Sequence, residues 1–150
     1  MTADQARALI VEHVAGAQAD GSAPVVATVP RGSWRALAAF ANDALGCRFF
    51  SFLSAVDWKE EGLEVVCRVD NLDTNLALLM KTRLGPGVAE CESLVPVYPG
   101  ANWMERECFD MFGIRFDGHP DLRRILLGDD WEGFPLLKSY AVDTPHPPYR

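Results

Sequence analysis

The chain has 150 residues and a mass of 16.5 kDa, enough for one buried core and too few for two. A hydrophobic fraction of 49% with only 23% charged residues excludes a disordered chain, which cannot bury enough apolar surface to collapse. Fourteen Lys and Arg against twenty-one Asp and Glu leave a net charge of −7, which repels nucleic-acid phosphates and anionic bilayers alike.

No apolar run approaches the roughly 20 residues of a membrane helix; Phe49–Val56 is interrupted by Ser51 and Ser54. Met1–Asp20 carries Asp4 and Glu12 in an amphipathic pattern, unlike a signal or transit peptide. With no C-x-x-C pair, Cys47, Cys67, Cys91 and Cys108 are expected as reduced thiols packed like small hydrophobes, in a cytosolic protein.

Thr2 and Gln5 form a candidate capping box ahead of Ala6, Leu9, Ile10 and Val14 at helical spacing. Gly16–Pro24 reads as a polar linker, and Val25–Val29 as a short strand closed by Pro30. Ser33 is expected to cap a second helix carrying Trp34, Leu37, Ala38, Ala41 and Leu45, stopped by Gly46. Phe49–Asp57, Leu63–Asp70 and Asn75–Thr82 alternate with period two and are joined by short polar connections, which predicts an antiparallel meander. A further short strand is possible around Glu90–Leu94. Beyond Pro99–Gly100 the spacing predicts a helix over 103–112, with Met104, Cys108 and Met111 on its apolar face and Gly113 as its stop.

Glu107 falls on the flank of that face and needs a partner if buried, for which Arg123 and Arg124 are the nearest supply. Arg106 and Asp110 are spaced for a modest surface pair. Leu122–Leu126 is either one helical turn or a short strand. Pro145, Pro147 and Pro148 require an extended run. The expected fold class is α+β: a mostly antiparallel sheet of three to five strands with two N-terminal helices packed on it, then a C-terminal helix and an extended proline-rich tail. One domain is expected over 1–150, with the helix and strand meander over 1–100, a signature helix and loop over 101–140 and the tail over 141–150.

Chemistry-bearing motifs are scarce. Neither phosphate-cradling glycine motif is present, nor G-x-S-x-G, nor a zinc or iron–sulfur spacing. His13 and His146 lack organised companions. His119, in Asp117-Gly118-His119-Pro120-Asp121, is a candidate base or ligand, but Asp-Gly before Pro-Asp reads first as a turn. Glu105 and Glu107 point roughly 160° apart on a helix, so they fail as a dyad and suit one buried and one solvated anchor. Trp131 among Asp129, Asp130 and Glu132 reads as an acidic turn with one packed aromatic. Eleven of the fourteen basic residues are arginines, whose planar fork suits bidentate pairs at interfaces and favours a protein partner.

The run Glu105-Arg106-Glu107-Cys108-Phe109-Asp110-Met111-Phe112-Gly113-Ile114 continues through Gly118-His119-Pro120-Asp121-Leu122-Arg123-Arg124-Ile125-Leu126 to Asp129-Asp130-Trp131-Glu132-Gly133-Phe134-Pro135-Leu136. It resembles the signature of the 30 kDa subunit family of respiratory complex I, which supplies the C-subunit of the bacterial NADH:quinone oxidoreductase. The likeness is close from Trp103 to about Tyr140 and looser elsewhere. It departs at Leu137, Ser139 and Ala141, where the family commonly has Arg, Asp and Pro.

The resemblance implies a non-catalytic hydrophilic subunit of the peripheral arm of a proton-translocating enzyme that passes electrons from NADH to quinone. No cofactor, metal or catalytic residue is then expected in this chain; FMN, iron–sulfur clusters and quinone belong to other subunits. The implied partners are the quinone-site large subunit, related to the hydrogenase large subunit, and the small iron–sulfur subunit. The implied place is the cytoplasmic side of the bacterial cell membrane, reached only through the complex. Glu105, Arg106, Glu107, Asp110, His119, Arg123 and Arg124 are assigned fold-clamping and interface roles. The nearer alternative is the equivalent subunit of a membrane-bound hydrogenase, formate hydrogenlyase or other complex I-like assembly. The distant one is a stand-alone metal or His/Asp hydrolase using His119 with Asp117 or Asp121.

Overall fold

The Thr2 hydroxyl accepts the N–H of Gln5 while the Gln5 side chain accepts the N–H of Thr2, and this reciprocal box opens α1 (Ala3–His13). Ala6 and Ile10, one turn apart, are its buried residues. The structure is a computed structural model, and it describes residues 1–143. The proline-rich tail with Pro145, Pro147 and Pro148 lies outside the described residues.

The expected linker over 16–24 is instead partly a strand. β1 (Gln18–Gly21) pairs antiparallel with β2 (Val25–Thr28). Gln-Ala-Asp-Gly is exposed apart from Ala19 and carries no apolar alternation, so only backbone pairing to β2 makes it a strand. Ser33 is a second correction. It precedes α2 (Trp34–Asp43), but its hydroxyl donates to the Ala15 carbonyl and leaves the helix without a side-chain cap. Trp34, Leu37, Ala38 and Ala41 are buried as their spacing predicts.

β3 (Phe49–Asp57), β4 (Leu63–Asn71) and β5 (Leu76–Gly85) form the predicted antiparallel meander. β2 lies beside β5 in parallel, so the five-stranded sheet, ordered β1-β2-β5-β4-β3, is mixed. Gly62 shows why the β3–β4 connection is so tight. Its φ is +89°, and a Cβ there would stand 2.4 Å from the Gly85 carbonyl oxygen.

Cross-strand register places Ala27, Met80, Cys67 and Leu53 in one row, and all four are buried. The buried faces of α1, α2 and α3 (Ala101–Phe112) join the same apolar core. β6 (Glu90–Glu92) and β7 (Arg115–Asp117) pair in parallel as a separate two-stranded sheet. The four cysteines are free and buried, and burial pushes the Cys47 thiol up to about 11. The architecture is α+β, and among the described residues no helix is long and apolar enough to cross a membrane.

Candidate functional site

The chemistry-bearing side chains gather on α3 and the segment after it. Ala101, Glu105, Cys108 and Phe112 form the buried stripe of α3, while Met104 and Met111 are half-buried. That stripe is rotated about one position from the one the methionines suggest, because its centre is a carboxylate that a hydrophobic pattern does not count as core. Glu105 is therefore the buried acid and Glu107 the exposed one, the reverse of the sequence expectation. Arg123 and Arg124 spend their guanidinium groups on Asp121, Asp110 and the Gly133 carbonyl, and not on Glu107. Glu107→Ala is expected to change stability by no more than about 0.5 kcal/mol in thermal unfolding.

Glu105 Oε1 accepts the N–H of Leu94 at 2.6 Å, and the Ser93 hydroxyl donates to Oε2 at 2.7 Å. Burial pushes this carboxyl up to about 7, only partly offset by those two donors and by the charge of Arg35. Arg35, on α2, ties the same corner together. Its Nε donates to the Ser93 carbonyl at 2.9 Å and its Nη2 to the Asp117 carbonyl at 3.0 Å.

Asp110 does not make the expected surface pair with Arg106; it is fully buried. Its Oδ2 accepts the N–H groups of Ile125, Leu126 and Leu127 at 3.2, 2.8 and 3.0 Å, and Arg124 Nη1 donates to Oδ1 at 2.8 Å. Burial alone would raise this carboxyl. The Leu127 N–H, the Arg124 guanidinium and the N–H groups of Leu126 and Ile125 outweigh it, and Asp110 stays below the usual carboxylate range. These bonds also answer the open question over 122–126, which is neither helix nor strand but an irregular loop folded around one carboxylate.

Arg106 serves the same loop, donating through Nε to the Arg123 carbonyl at 3.0 Å and through Nη2 to the Arg124 carbonyl at 2.9 Å. Arg124 reaches on to the Gly133 carbonyl and lies over the Phe134 ring, 5.2 Å from its centroid. That ring rests on Gly113, the left-handed C-cap of α3, where a Cβ would meet it at 2.8 Å. Arg123 pairs with Asp121, and both are exposed.

His119 sits where Gly118, at φ +85°, turns the chain out of β7. Its Nδ1 accepts the N–H of Asp121 at 3.0 Å, which makes Nε2 the protonated nitrogen, donating to the Asn102 carbonyl at 3.0 Å. Both ring nitrogens are thus committed to backbone, and no lone pair faces the adjoining open cleft of about 670 Å³ between Arg31, Glu90, Arg115 and Asp117. Among the described residues no three His, Cys, Asp or Glu side chains converge as a metal ion requires. Arginine, histidine and buried acid alike serve to shape a loop.

The family described as respiratory-chain NADH dehydrogenase, 30 Kd subunit, matches residues 27–146. The C-subunit of the NADH-quinone oxidoreductase of Chlorobium phaeobacteroides is 38% identical over 146 residues, which cover 93% of this chain and 86% of that one. This chain belongs to the 30 kDa subunit family.

The C-subunit of the Rhodobacter capsulatus enzyme is 48% identical over 107 residues, 69% of this chain, which spans about half, 53%, of that relative's length. Two solved structures share the fold. One is described as Nqo5 of a trypsin-resistant fragment, with a TM-score of 0.65 and 23% identity, covering 79% of this chain and 95% of that one. The other is a membrane-bound sulfane sulfur reductase, an archaeal respiratory membrane complex, with a TM-score of 0.71 and 24% identity, covering 85% and 77%. The resemblance read from Glu105 to Leu136 is borne out, and with it the assignment to a subunit of NADH:quinone oxidoreductase.

Arg35, Ser93 and Asn102 escaped the sequence reading of this 30 kDa family member. Arg35 looked like an ordinary charge on an amphipathic helix, and Ser93 and Asn102 carry no local signal. Their partners are 58, 12 and 17 residues away in sequence, so only the folded chain introduces them.

Proposed function

We propose that this chain is a non-catalytic subunit of the peripheral arm of a proton-translocating NADH:quinone oxidoreductase. It scaffolds the quinone-site large subunit and the small iron–sulfur subunit, while FMN, clusters and quinone sit on its neighbours. One observation carries this reading: Glu105, Arg106, Asp110 and Arg124 spend their charged groups on backbone of the same corner, while large apolar side chains beside them turn out. Trp103 is 71% exposed, Leu126 61% and Leu136 52%, on the helix and loop that Asp110, Arg106 and Arg124 hold in shape. A rigid loop presenting aromatic and aliphatic anchors is what a protein interface needs, since preorganised anchors lose little entropy on docking. The seven residues Glu105, Arg106, Glu107, Asp110, His119, Arg123 and Arg124 divide accordingly. Glu105, Arg106, Asp110, His119 and Arg124 clamp the fold, and the exposed Glu107 and Arg123 belong to the rim of the docking face.

The test is affinity purification of the tagged chain from detergent-solubilised membranes. The wild type is expected in a large assembly with NADH:quinone activity. Trp103→Asp should lower the co-purified yield about tenfold or more while leaving the melting temperature of the free chain unchanged. A wild-type chain that elutes alone overturns the reading.

A further inference from the structure

Glu105 is a wholly buried carboxyl with no ion pair among the described residues, and its nearest surroundings are neutral. Burial raises the thiols of Cys67 on β4, Cys91 on β6 and Cys108 on the next turn of α3, and the charge of Glu105 raises each further, so all three stay protonated. Glu92 of β6 and Glu107 of α3 add negative potential to that cluster. Tyr98, in the loop before α3, has its hydroxyl committed to the Cys47 carbonyl. The favourable charge is that of Arg35 on α2, whose guanidinium is already fixed to the Ser93 and Asp117 carbonyls. A buried carboxylate without a counter-ion costs several kcal/mol, so the group takes up a proton wherever the pH allows.

Position gives that proton a lever. Glu105 holds the turn leaving β6 through the Leu94 N–H and the Ser93 hydroxyl, and Ser93 Oγ in turn accepts the Val95 N–H at 3.1 Å. Five residues further along α3, Asp110 holds the 124–127 loop. One helix thus carries an acid without a counter-ion at one end of the site and the loop's anchor at the other.

We propose that Glu105 is a proton-operated latch, fastening α3 to the turn after β6 when protonated and weakening that junction when it ionises. The Oε2–Oγ contact survives in both states. In the acid, Oε2–H donates to Ser93 Oγ; in the carboxylate, the Ser93 O–H donates to Oε2. What changes is a negative charge in a dry site. The latch rests on Glu105 and its neighbours and is independent of the scaffold reading.

The sign follows from linkage. The folded chain holds the proton up to about 7 and the unfolded chain releases it near 4.5. The latch's contribution is therefore complete below about 4.5, falls as the pH rises towards 7 and stays lost above it. The test uses the full chain labelled with ¹³C at the glutamate side-chain carboxyls. The Glu105 signal, assigned through the backbone, is expected to titrate near pH 7, well above the about 4.3 of a glutamate in a model peptide. Protection of the Leu94 amide against hydrogen exchange should fall by up to about tenfold per pH unit between pH 5 and 7, relative to Glu105→Gln. A Glu105 midpoint below about 5.5 overturns the proposal, as do parallel protection profiles in the two proteins. If Glu105→Gln does not fold, the wild-type carboxyl titration decides alone.

Discussion

Asp110→Ala is expected to destabilise the protein by about 3–5 kcal/mol, because it strips the half-buried Arg124 guanidinium of its fully buried partner and leaves three backbone N–H groups without an acceptor. In a chain of this length that corresponds to a fall of roughly 10 °C in melting temperature. The loss should be uneven. Helix α3 keeps its packed stripe, whereas the 121–140 loop loses the group it is folded around, so limited proteolysis should cut there first. Asp110→Asn keeps one acceptor oxygen and is expected to lose less. The same site sets the acid limit of the fold. Asp110 is held below its ordinary 3.8, so its contribution is complete above about that pH and is lost as the pH falls further, when the carboxylate must be protonated. Replacing the exposed Glu107, three residues earlier, by Ala should leave the cleavage of the 121–140 loop unchanged. Unequal responses from two acids on one helix would establish which of them holds the loop.

Gly113→Val tests the other end of the clamp. A β-branched residue at φ +76° strains the backbone, and its Cβ would enter the Phe134 ring, so about 3 kcal/mol should be lost in chemical denaturation. Adding Phe134→Ala removes the steric part. The double variant should lose less than the sum of the singles by about 1 kcal/mol or more, as coupled neighbours do. Strict additivity would mean that the ring does not rest on the C-cap. Since Arg124 also lies over Phe134 and pairs with Asp110, the two predictions probe one connected device from opposite sides.

The buried side of α2 follows from Trp34, Leu37, Ala38 and Ala41 at helical spacing, and the meander from the alternation in β3 to β5. Such elements are legible because each residue's burial repeats with the period of its own backbone. β1 was illegible because Gln18–Gly21 is a strand only through its neighbour. The signature segment was visible as a pattern, yet the roles inside it were partly misread. Glu105 looked solvated because a carboxylate in a core stripe breaks the hydrophobic rule, and its compensation lies on Ser93 and Leu94, in the irregular segment between β6 and α3. Asp110 looked like a surface partner of Arg106 because i,i+4 spacing allows it, whereas a competing nest of three N–H groups satisfies it better.

The order of residues by itself determined the α+β class, the helices and strands with strong periodicity, and the family, since each is written in local spacing or in a long linear motif. Which acid is buried, which arginine it holds, and that 122–127 is an irregular loop were decided only by the tertiary structure. Burial and hydrogen-bond pairing are set by groups far apart in sequence, and the low dielectric of the site they enclose magnifies every such pairing.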